Sequence, residues 1–448
     1  PYCTVTASPS KDWRDTLGAQ VKENNSTFSV GRDDGANGVG GDSLHAASTR
    51  LPQTATKPLR LTLLRFTRIV VYKPVIVSCD KPLVNGTAGG HASLSTDVIS
   101  SIDLPGQYNV LKNEIDTAVD RVLKSGRYVL GPEVEAFESE FGSSCGASHA
   151  IGLNSGTNAI YLSLVALGVG PGDEVITVAY TFEATVAAIL ATGATPRLID
   201  IDPQSLTMDV TLLENEITHR TKAVIPVHLF GQPADMDPIL AISRRHEVSV
   251  IEDACQAHGA TYKGTPVGGL GDLSCFSFYP SKNLSACGDA GMVVTKNASL
   301  ADTIRDLRNW GPDQRSGNYR MAALQAAILR VKLPHLEAWT TRRRFIASRY
   351  TELLRDTKLG LPLTMPYSGH AFHIYAIRSS HRDALQEHLR DQGIEVGVHY
   401  PQAVHQKKNY SGLNYNTGAF PVAEQLATEQ LSLPIYPELP DGTVAKVV

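Results

Sequence analysis

Two short apolar runs in this chain each lead to a residue that can do acid–base or covalent chemistry. Val-Ser-Val-Ile at 248–251 reads as a buried strand ending at Glu252 and Asp253, which open the run Glu-Asp-Ala-Cys-Gln-Ala-His-Gly at 252–259. Leu-Ser-Cys-Phe-Ser-Phe-Tyr at 273–279 reads as a second strand, and Lys282 follows it in Ser-Phe-Tyr-Pro-Ser-Lys-Asn. An acid at one strand end and a lysine beyond the next suit pyridoxal phosphate chemistry. The carboxylate keeps a pyridine nitrogen protonated, so the ring draws electrons, while the lysine forms a Schiff base with the aldehyde. A bare Asp and Lys are commonly solvated surface charges. Here Phe276, Phe278 and Tyr279 flank the lysine and argue for burial.

A third run, Asn-Ser-Gly-Thr-Asn-Ala at 154–159, lies between a strand-like stretch at 150–153 and a helix starting near Asn158. Ser155, Gly156 and Thr157 thus place backbone N–H groups at a helix N-terminus, which attracts phosphate through unpaired donors and the positive end of the dipole. The same three residues also make an ordinary turn and N-cap.

These runs, with others in the same order, resemble the DegT/DnrJ/StrS family of sugar aminotransferases from about residue 102 to the C-terminus. The others include Ser-Gly-Arg-Tyr-Val-Leu-Gly-Pro-Glu-Val at 125–134, Gly-Pro-Gly-Asp-Glu-Val-Ile at 170–176 and Tyr-Thr-Phe-Glu-Ala-Thr at 180–185. Val-His-Leu-Phe-Gly-Gln-Pro at 227–233, Gly-Asp-Ala-Gly-Met at 288–292 and Asn-Tyr-Arg-Met at 318–321 continue the series. His399-Tyr400-Pro401 and Leu-Ser-Leu-Pro-Ile-Tyr-Pro at 431–437 complete it. The resemblance implies pyridoxal phosphate as cofactor, with Lys282 carrying it and shuttling the proton, and Asp253 facing the pyridine nitrogen. It puts Gln256 near the phenolic oxygen, Phe182 on the ring face, and Gly156, Thr157 and Ser277 around the phosphate. It further implies that Asn318 crosses a dimer interface to the phosphate of the partner's cofactor, and that Arg320 and His399 lie near the substrate. Members with His in place of the lysine perform dehydration, so Lys282 implies amino transfer. Where the family often reads His-Tyr-Pro-x-Pro-x-His, Ala403 replaces the second proline and His405 closes the motif, a departure that bears on sugar preference. Glu252 and His258 read as structural.

The elements that must position these residues alternate along the chain. Leu111, Ile115, Val119, Val122 and Leu123 recur at helical spacing, and Ser125-Gly126 stops that helix. Stretches 174–178, 195–199, 223–227 and 249–251 are strand-like, and 159–167, 184–191, 206–217 and 238–246 are helix-like. Such alternation predicts a mostly parallel sheet covered by helices. A helical stretch at 322–349 contains Pro334, which breaks or kinks it. A strand-like 372–377, a helical 382–392 and a strand-like 394–399 predict a smaller α+β part. The expected fold is α/β, of the fold-type I class of pyridoxal phosphate-dependent transferases. A large cofactor domain at 99–335 is expected, then a small C-terminal domain at 336–448.

Residues 1–98 differ. Gly-Ala-Asn-Gly-Val-Gly-Gly-Asp, Leu-Pro-Gln-Thr-Ala-Thr-Lys-Pro and Asn-Gly-Thr-Ala-Gly-Gly carry little periodicity, a composition that favours loop or disorder. The family has no counterpart to the segment. The start at Pro1 and an apparently incomplete final helix suggest a fragment or an uncertain gene start, with an appended domain as the alternative.

At 448 residues the chain exceeds one ordinary domain, and 42% hydrophobic against 19% charged residues reads as globular. A net charge of −4 gives no electrostatic case for nucleic acid or an anionic membrane. Arg65, Arg68 and Lys73 interrupt the apolar stretch at 61–77, which makes it a poor membrane span. Six cysteines without Cys-x-x-Cys spacing suit free thiols in a reducing cytoplasm and predict no metal site. The expected activity is transfer of an amino group, from glutamate, to a nucleotide-linked keto sugar by a homodimer with shared sites, with 3-keto favoured over 4-keto. The alternatives are a related enzyme acting on a cyclitol or other non-sugar ketone, and a catalytically silent regulatory homologue.

Overall fold

The structure, a computed structural model, describes residues 98–448. The expectation for the leading segment falls outside those residues, save at its last position. The strands are β1 (His149–Leu153), β2 (Glu174–Val178), β3 (Thr195–Ile199), β4 (Thr221–Ile225) and β5 (Ser249–Asp253). The short pair β6 (Thr261–Tyr262) and β7 (Thr265–Pro266) follows, then β8 (Leu273–Ser277) and β9 (Gly291–Thr295). Further on come β10 (Ser368–Gly369), β11 (Tyr375–Arg378) and β12 (Gln430–Leu433).

Seven of them form one sheet in the order β1-β9-β8-β5-β4-β2-β3. Strand β9 pairs antiparallel with both neighbours, and the other six run parallel. Alternate residues serve opposite faces. Ile151, Val175, Ile225, Ile251, Cys275 and Val293 join one buried cluster with the helices Gly156–Ala166, Ala184–Ala191 and Ala298–Arg308. Their neighbours Ile176, Val224 and Val250 face the other side, as do Phe276 and Met292. With both faces covered, these strands read as nearly continuous apolar runs.

A second sheet pairs β11 with β12 antiparallel. It packs with Ile346 and Tyr350 of the helix Leu336–Leu353 and with Ile394 and Val396. The chain then returns to the large sheet, where Ala403, Val404 and Phe420 join the cluster of Ile176 and Val224.

Pro334 breaks the long helical stretch as expected, into Ala323–Lys332 and Leu336–Leu353 with a 3-10 turn between them. Gly126, at φ 65°, ends the helix Lys112–Ser125 in the left-handed conformation. Three stretches differ from expectation. The fourth strand ends at Ile225 because Pro226 has no N–H for the ladder, and Val227 then makes a lone bridge to Asp253. The helix near 206–217 starts at Val210, where Asp209 caps it by accepting from Thr211 N. Residues 394–399 form only single bridges, Ile394 to Ile99 and Gly397 to Ser432, and no strand. No helix among the described residues is long and apolar enough to cross a membrane.

The entry of β9 is packed backbone to backbone against the loop after β1. A Cβ on Gly291 would lie 2.3 Å from the carbonyl carbon and oxygen of Ser155. Gly291→Ala is expected to cost about 1–3 kcal/mol of stability, the range for overpacking a tight interior. Urea unfolding checks it, and an unchanged midpoint would mean that the loop yields freely.

Candidate active site

Parallel strands bring their C-terminal ends to one edge, and ligands bind in crevices along such edges. A cavity of about 340 Å³ opens there. Its wall takes Gly156 and Thr157 after β1, Phe182 after β2, Asp253 at the end of β5, and Ser277 and Lys282 from β8 onward. Asp289 and Ala290 reach the same edge because β9 starts where its neighbours end. Gln256 and His399 also line the wall. Two of the residues expected from sequence do not. Asn318 is exposed and receives Arg320 Nε at 2.9 Å on its Oδ1, while its carbonyl accepts from Asn154 Nδ2 at 3.4 Å.

Strands β5 and β8 are neighbours, with Asp253 opposite Cys275. The register fixes the acid and the lysine loop side by side. Asp253 is buried; its Oδ2 accepts from Thr185 Oγ1 at 2.7 Å and its Oδ1 from Cys255 N at 3.2 Å. A carboxylate offers about four acceptor positions, so this one can still receive a further donor. Lys282 makes no ion pair among the described residues, and burial pushes its amine below the ordinary lysine value against the pull of Cys255 and Asp253. A lysine in that state reaches its neutral, nucleophilic form more readily.

Gly156 opens a helix, and Ser155 caps it by accepting from Asn158 N. The first N–H groups of a helix have no partner within it, so those of Gly156 and Thr157 remain to face the cavity. Gln256 is clamped: its Oε1 accepts from Phe230 N at 2.7 Å and its Nε2 donates to Tyr400 Oη at 2.8 Å. Phe182 is 50% exposed, and its ring centroid lies 5.7 Å from that of Tyr400.

Sequence reasoning missed His373, which lines the cavity beside Lys282. Asn283 Nδ2 donates to the Ala371 carbonyl at 3.1 Å, which leaves its Oδ1 to accept from His373 Nδ1 at 3.2 Å. The ring is therefore held with its proton on Nδ1 and its Nε2 lone pair free. Burial, then the charges of Lys282 and Arg343, keep its pKa well below the ordinary value. A histidine in an otherwise apolar run, Phe372 to Ile377, was the available signal. His399 contacts Ser432 Oγ through Nδ1 at 2.8 Å, and burial followed by the Lys282 charge pulls its pKa down to about 4.

Glu252 and His258 lie outside the cavity wall. Glu252 is fully buried and accepts from Ser274 Oγ at 2.5 Å, Leu270 N at 2.9 Å and Gly271 N at 2.9 Å, with His228 Nε2 3.0 Å away. Burial opposes its charge, but these contacts hold its pKa below the ordinary value. His258 is buried, and neither ring nitrogen makes a well-formed hydrogen bond with a described residue. His405 sits against Glu424, 2.9 Å from Nε2 to Oε1, and also stays out of the wall.

The donor set fits a phosphorylated pyridine aldehyde. Lys282 presents an amine with no ion pair among the described residues, Asp253 a carboxylate with acceptor capacity left, and Gly156 and Thr157 a helix N-terminus. Among solved structures, the chain is similar to the S. venezuelae protein DesV in complex with a ketimine intermediate. That likeness has a TM-score of 0.76 and 44% identity, over 78% of this chain and 96% of that one. A second is the PLP form of a putative sugar aminotransferase from Streptococcus pneumoniae, with a TM-score of 0.71 and 26% identity over 75% and 94%. Fold and site thus define the fold-type I class of pyridoxal phosphate-dependent aminotransferases.

The sequence model of the DegT/DnrJ/EryC1/StrS aminotransferase family matches residues 109–448, and the chain belongs to that family. It is 47% identical to the erythromycin biosynthesis sensory transduction protein EryC1 of Saccharopolyspora erythraea, over 75% of this chain and 94% of the relative. It is 43% identical to the dTDP-3-amino-3,4,6-trideoxy-alpha-D-glucose transaminase of Streptomyces venezuelae, over 79% and 95%.

The lowered pKa of Lys282 has a consequence for stability. The unfolded chain binds this proton more tightly than the folded one, so the penalty is present below the folded pKa and gone above the ordinary value of 10.5. Lys282→Met is expected to raise the melting temperature of the cofactor-free protein at neutral pH. The gain should shrink as the pH is raised toward 10.5. Thermal melts across that range check both the sign and the trend.

Proposed function

We propose that this chain is a pyridoxal phosphate-dependent aminotransferase that moves an amino group from glutamate to a nucleotide-linked keto sugar. The observation that carries the reading is the unpaired amine of Lys282, in one cavity with Asp253 on the neighbouring strand. When bound, the cofactor supplies an electron sink for breaking a C–H bond next to nitrogen. Lys282 would hold it through the amine and, once released, would serve as the base that moves a substrate proton. Asp253, set by Thr185, would accept a hydrogen bond from the protonated ring nitrogen and favour its charged form. Gly156, Thr157 and Ser277 would receive the phosphate, Phe182 would cover the ring, and Gln256 would reach the phenolic oxygen. His399 lies on the substrate side. Position 3 in the name of the S. venezuelae relative favours a 3-keto over a 4-keto acceptor. The free cysteines Cys145, Cys255, Cys275 and Cys287 accord with a cytoplasmic enzyme.

The name of the S. erythraea relative favours a second reading, a regulator without catalysis. Retention of both Lys282 and Asp253 in the cavity speaks for the enzyme. Purified protein is expected to show the visible absorbance of bound cofactor, and Lys282→Ala to lose it together with turnover. Asp253→Asn should retain some cofactor but lose at least about a hundredfold in rate, since the sink needs a protonated ring nitrogen. A Lys282→Ala protein that keeps most of its activity sinks the assignment, and a colourless, inactive wild type favours the regulator.

Asn318 supports a homodimer with composite sites, because it lies outside the cavity of its own chain. It pairs with Asn309 across a turn that also exposes Trp310 (69% exposed). In the proposed assembly each Asn318 completes the phosphate site of the second copy. Mixing Asn318→Ala subunits with Lys282→Ala subunits should restore activity above either parent, since one of the two sites in a heterodimer then carries neither defect. With an impaired Asn318→Ala parent and exchanging subunits, no gain on mixing would place the whole site in one chain.

A further inference from the structure

The large cavity is lined by two acids, Asp253 and Asp289, which disfavour an amino donor's carboxylates. Beside it lies a smaller cavity of about 170 Å³ with no Asp or Glu in its wall. The two share Ser281, His373, Ile374 and His399. In the wall of the smaller one, on the helix Leu336–Leu353, is Arg343, only 4% exposed.

Arg343 is anchored through one nitrogen alone. Its Nη1 donates to the carbonyls of Ile435 at 2.8 Å, Phe372 at 3.2 Å and His373 at 3.4 Å. Its Nε is buried without a hydrogen-bond partner, and Nη2 makes no hydrogen bond with a described residue. No carboxylate among the described residues makes an ion pair with it; burial lowers its pKa to about 10, the charge of Glu438 opposes that shift only from beyond ion-pair distance, and the group stays charged at neutral pH. An unpaired buried cation is costly unless an anion meets it. Nε and Nη2 form the edge that accepts a carboxylate two-handed. Elsewhere in this chain the same edge of Arg121 grips Glu133, at 2.7 and 3.1 Å, and that of Arg315 grips Asp313, at 3.0 and 2.7 Å. His373 connects the two cavities, since it lines both of them.

We infer that the smaller cavity is the subsite for a carboxylate of the amino donor, with Arg343 as its counter-ion. This rests on the amino-transfer reading above. The subsite accounts for how one active site serves two unlike substrates in turn. The donor places its carboxylate against Arg343 and its amine toward Lys282. The acceptor, carried on a nucleotide, uses the large cavity only. The small volume suits a carboxylate arm and excludes a nucleotide.

The test uses the holoenzyme and glutarate, a five-carbon dicarboxylate with no amine to transfer, as a calorimetric probe. Two variants are compared with the wild type. Arg343→Lys removes the planar fork. Ile102→Glu brings a competing carboxylate to the cavity wall from a half-buried position outside the catalytic residues, and leaves the three carbonyl bonds of Arg343 in place. Each should weaken glutarate binding at least about tenfold, the scale on which losing one partner of a buried charge pair is felt. In single-turnover assays each should slow the glutamate half-reaction about tenfold relative to the keto-sugar half-reaction. Unchanged glutarate affinity in both variants overturns the subsite, as does an equal loss of both half-reactions. So does a loss of affinity for thymidine diphosphate with glutarate binding intact. If Arg343→Lys does not fold, Ile102→Glu decides alone. A wild type that binds glutarate through Arg343 but takes up no cofactor would refute the amino-transfer reading and leave the anion site standing.

Discussion

A half-buried primary amine with no ion pair among the described residues is the constraint on which the rest of this structure depends. Lys282 follows β8 by a few residues, and burial works against its charge. The nearest acid is on the neighbouring strand and is already engaged by Thr185 and the backbone of Cys255. An arrangement of this kind destabilises a fold slightly wherever the amine is charged. It persists because the surrounding elements are overdetermined: seven strands with both faces covered, and a lysine loop tied at both ends by packing. Sites that store such a cost are commonly sites of chemistry.

The antiparallel β9 has a particular part in this arrangement. A parallel strand in that place would bring its C-terminal end to the edge. The antiparallel one brings its start, so Asp289 and Ala290 arrive directly before Gly291, where the backbone meets Ser155. The close contact seats the turn that opens the helix Gly156–Ala166, and hence the direction of its first N–H groups.

The small sheet reaches the site through few but specific contacts. Ala371 N and Ile374 N donate to the carbonyls of Gly231 and Phe230, so the segment before β11 docks on the loop after β4 and does not extend the strand. That docking delivers His373 to Asn283, the residue next to Lys282. Arg343 binds the carbonyls of Phe372, His373 and Ile435, which ties the same segment to the helix Leu336–Leu353 and to the chain after β12. One cavity carries acids and the other a lone cation, with His373 between them.

Much of this was legible in the order of residue types. Continuous apolar runs separated by amphipathic stretches specify a parallel sheet with two covered faces, because each strand must be apolar on both sides. Helix ends at Gly126 and Pro334 were readable because they follow from local backbone chemistry. Asp253, Lys282 and the turn at Gly156 were legible because each sits at the end of a strand or a few residues past it, where the edge of a parallel sheet must lie. His373 and Arg343 were not. Nothing within a few residues of Arg343 marks it out, and the apolar run around His373 singles out the histidine without showing what it meets. His373 is set by the Asn283 amide 90 residues earlier in the chain, and Arg343 by which of its nitrogens find carbonyls across the fold. The sequence alone determined the sheet, its edge and the residues placed there by local strand ends. Tertiary structure decided which distant side chains close around that edge, because a side chain's pairing and burial depend on neighbours that only folding brings together.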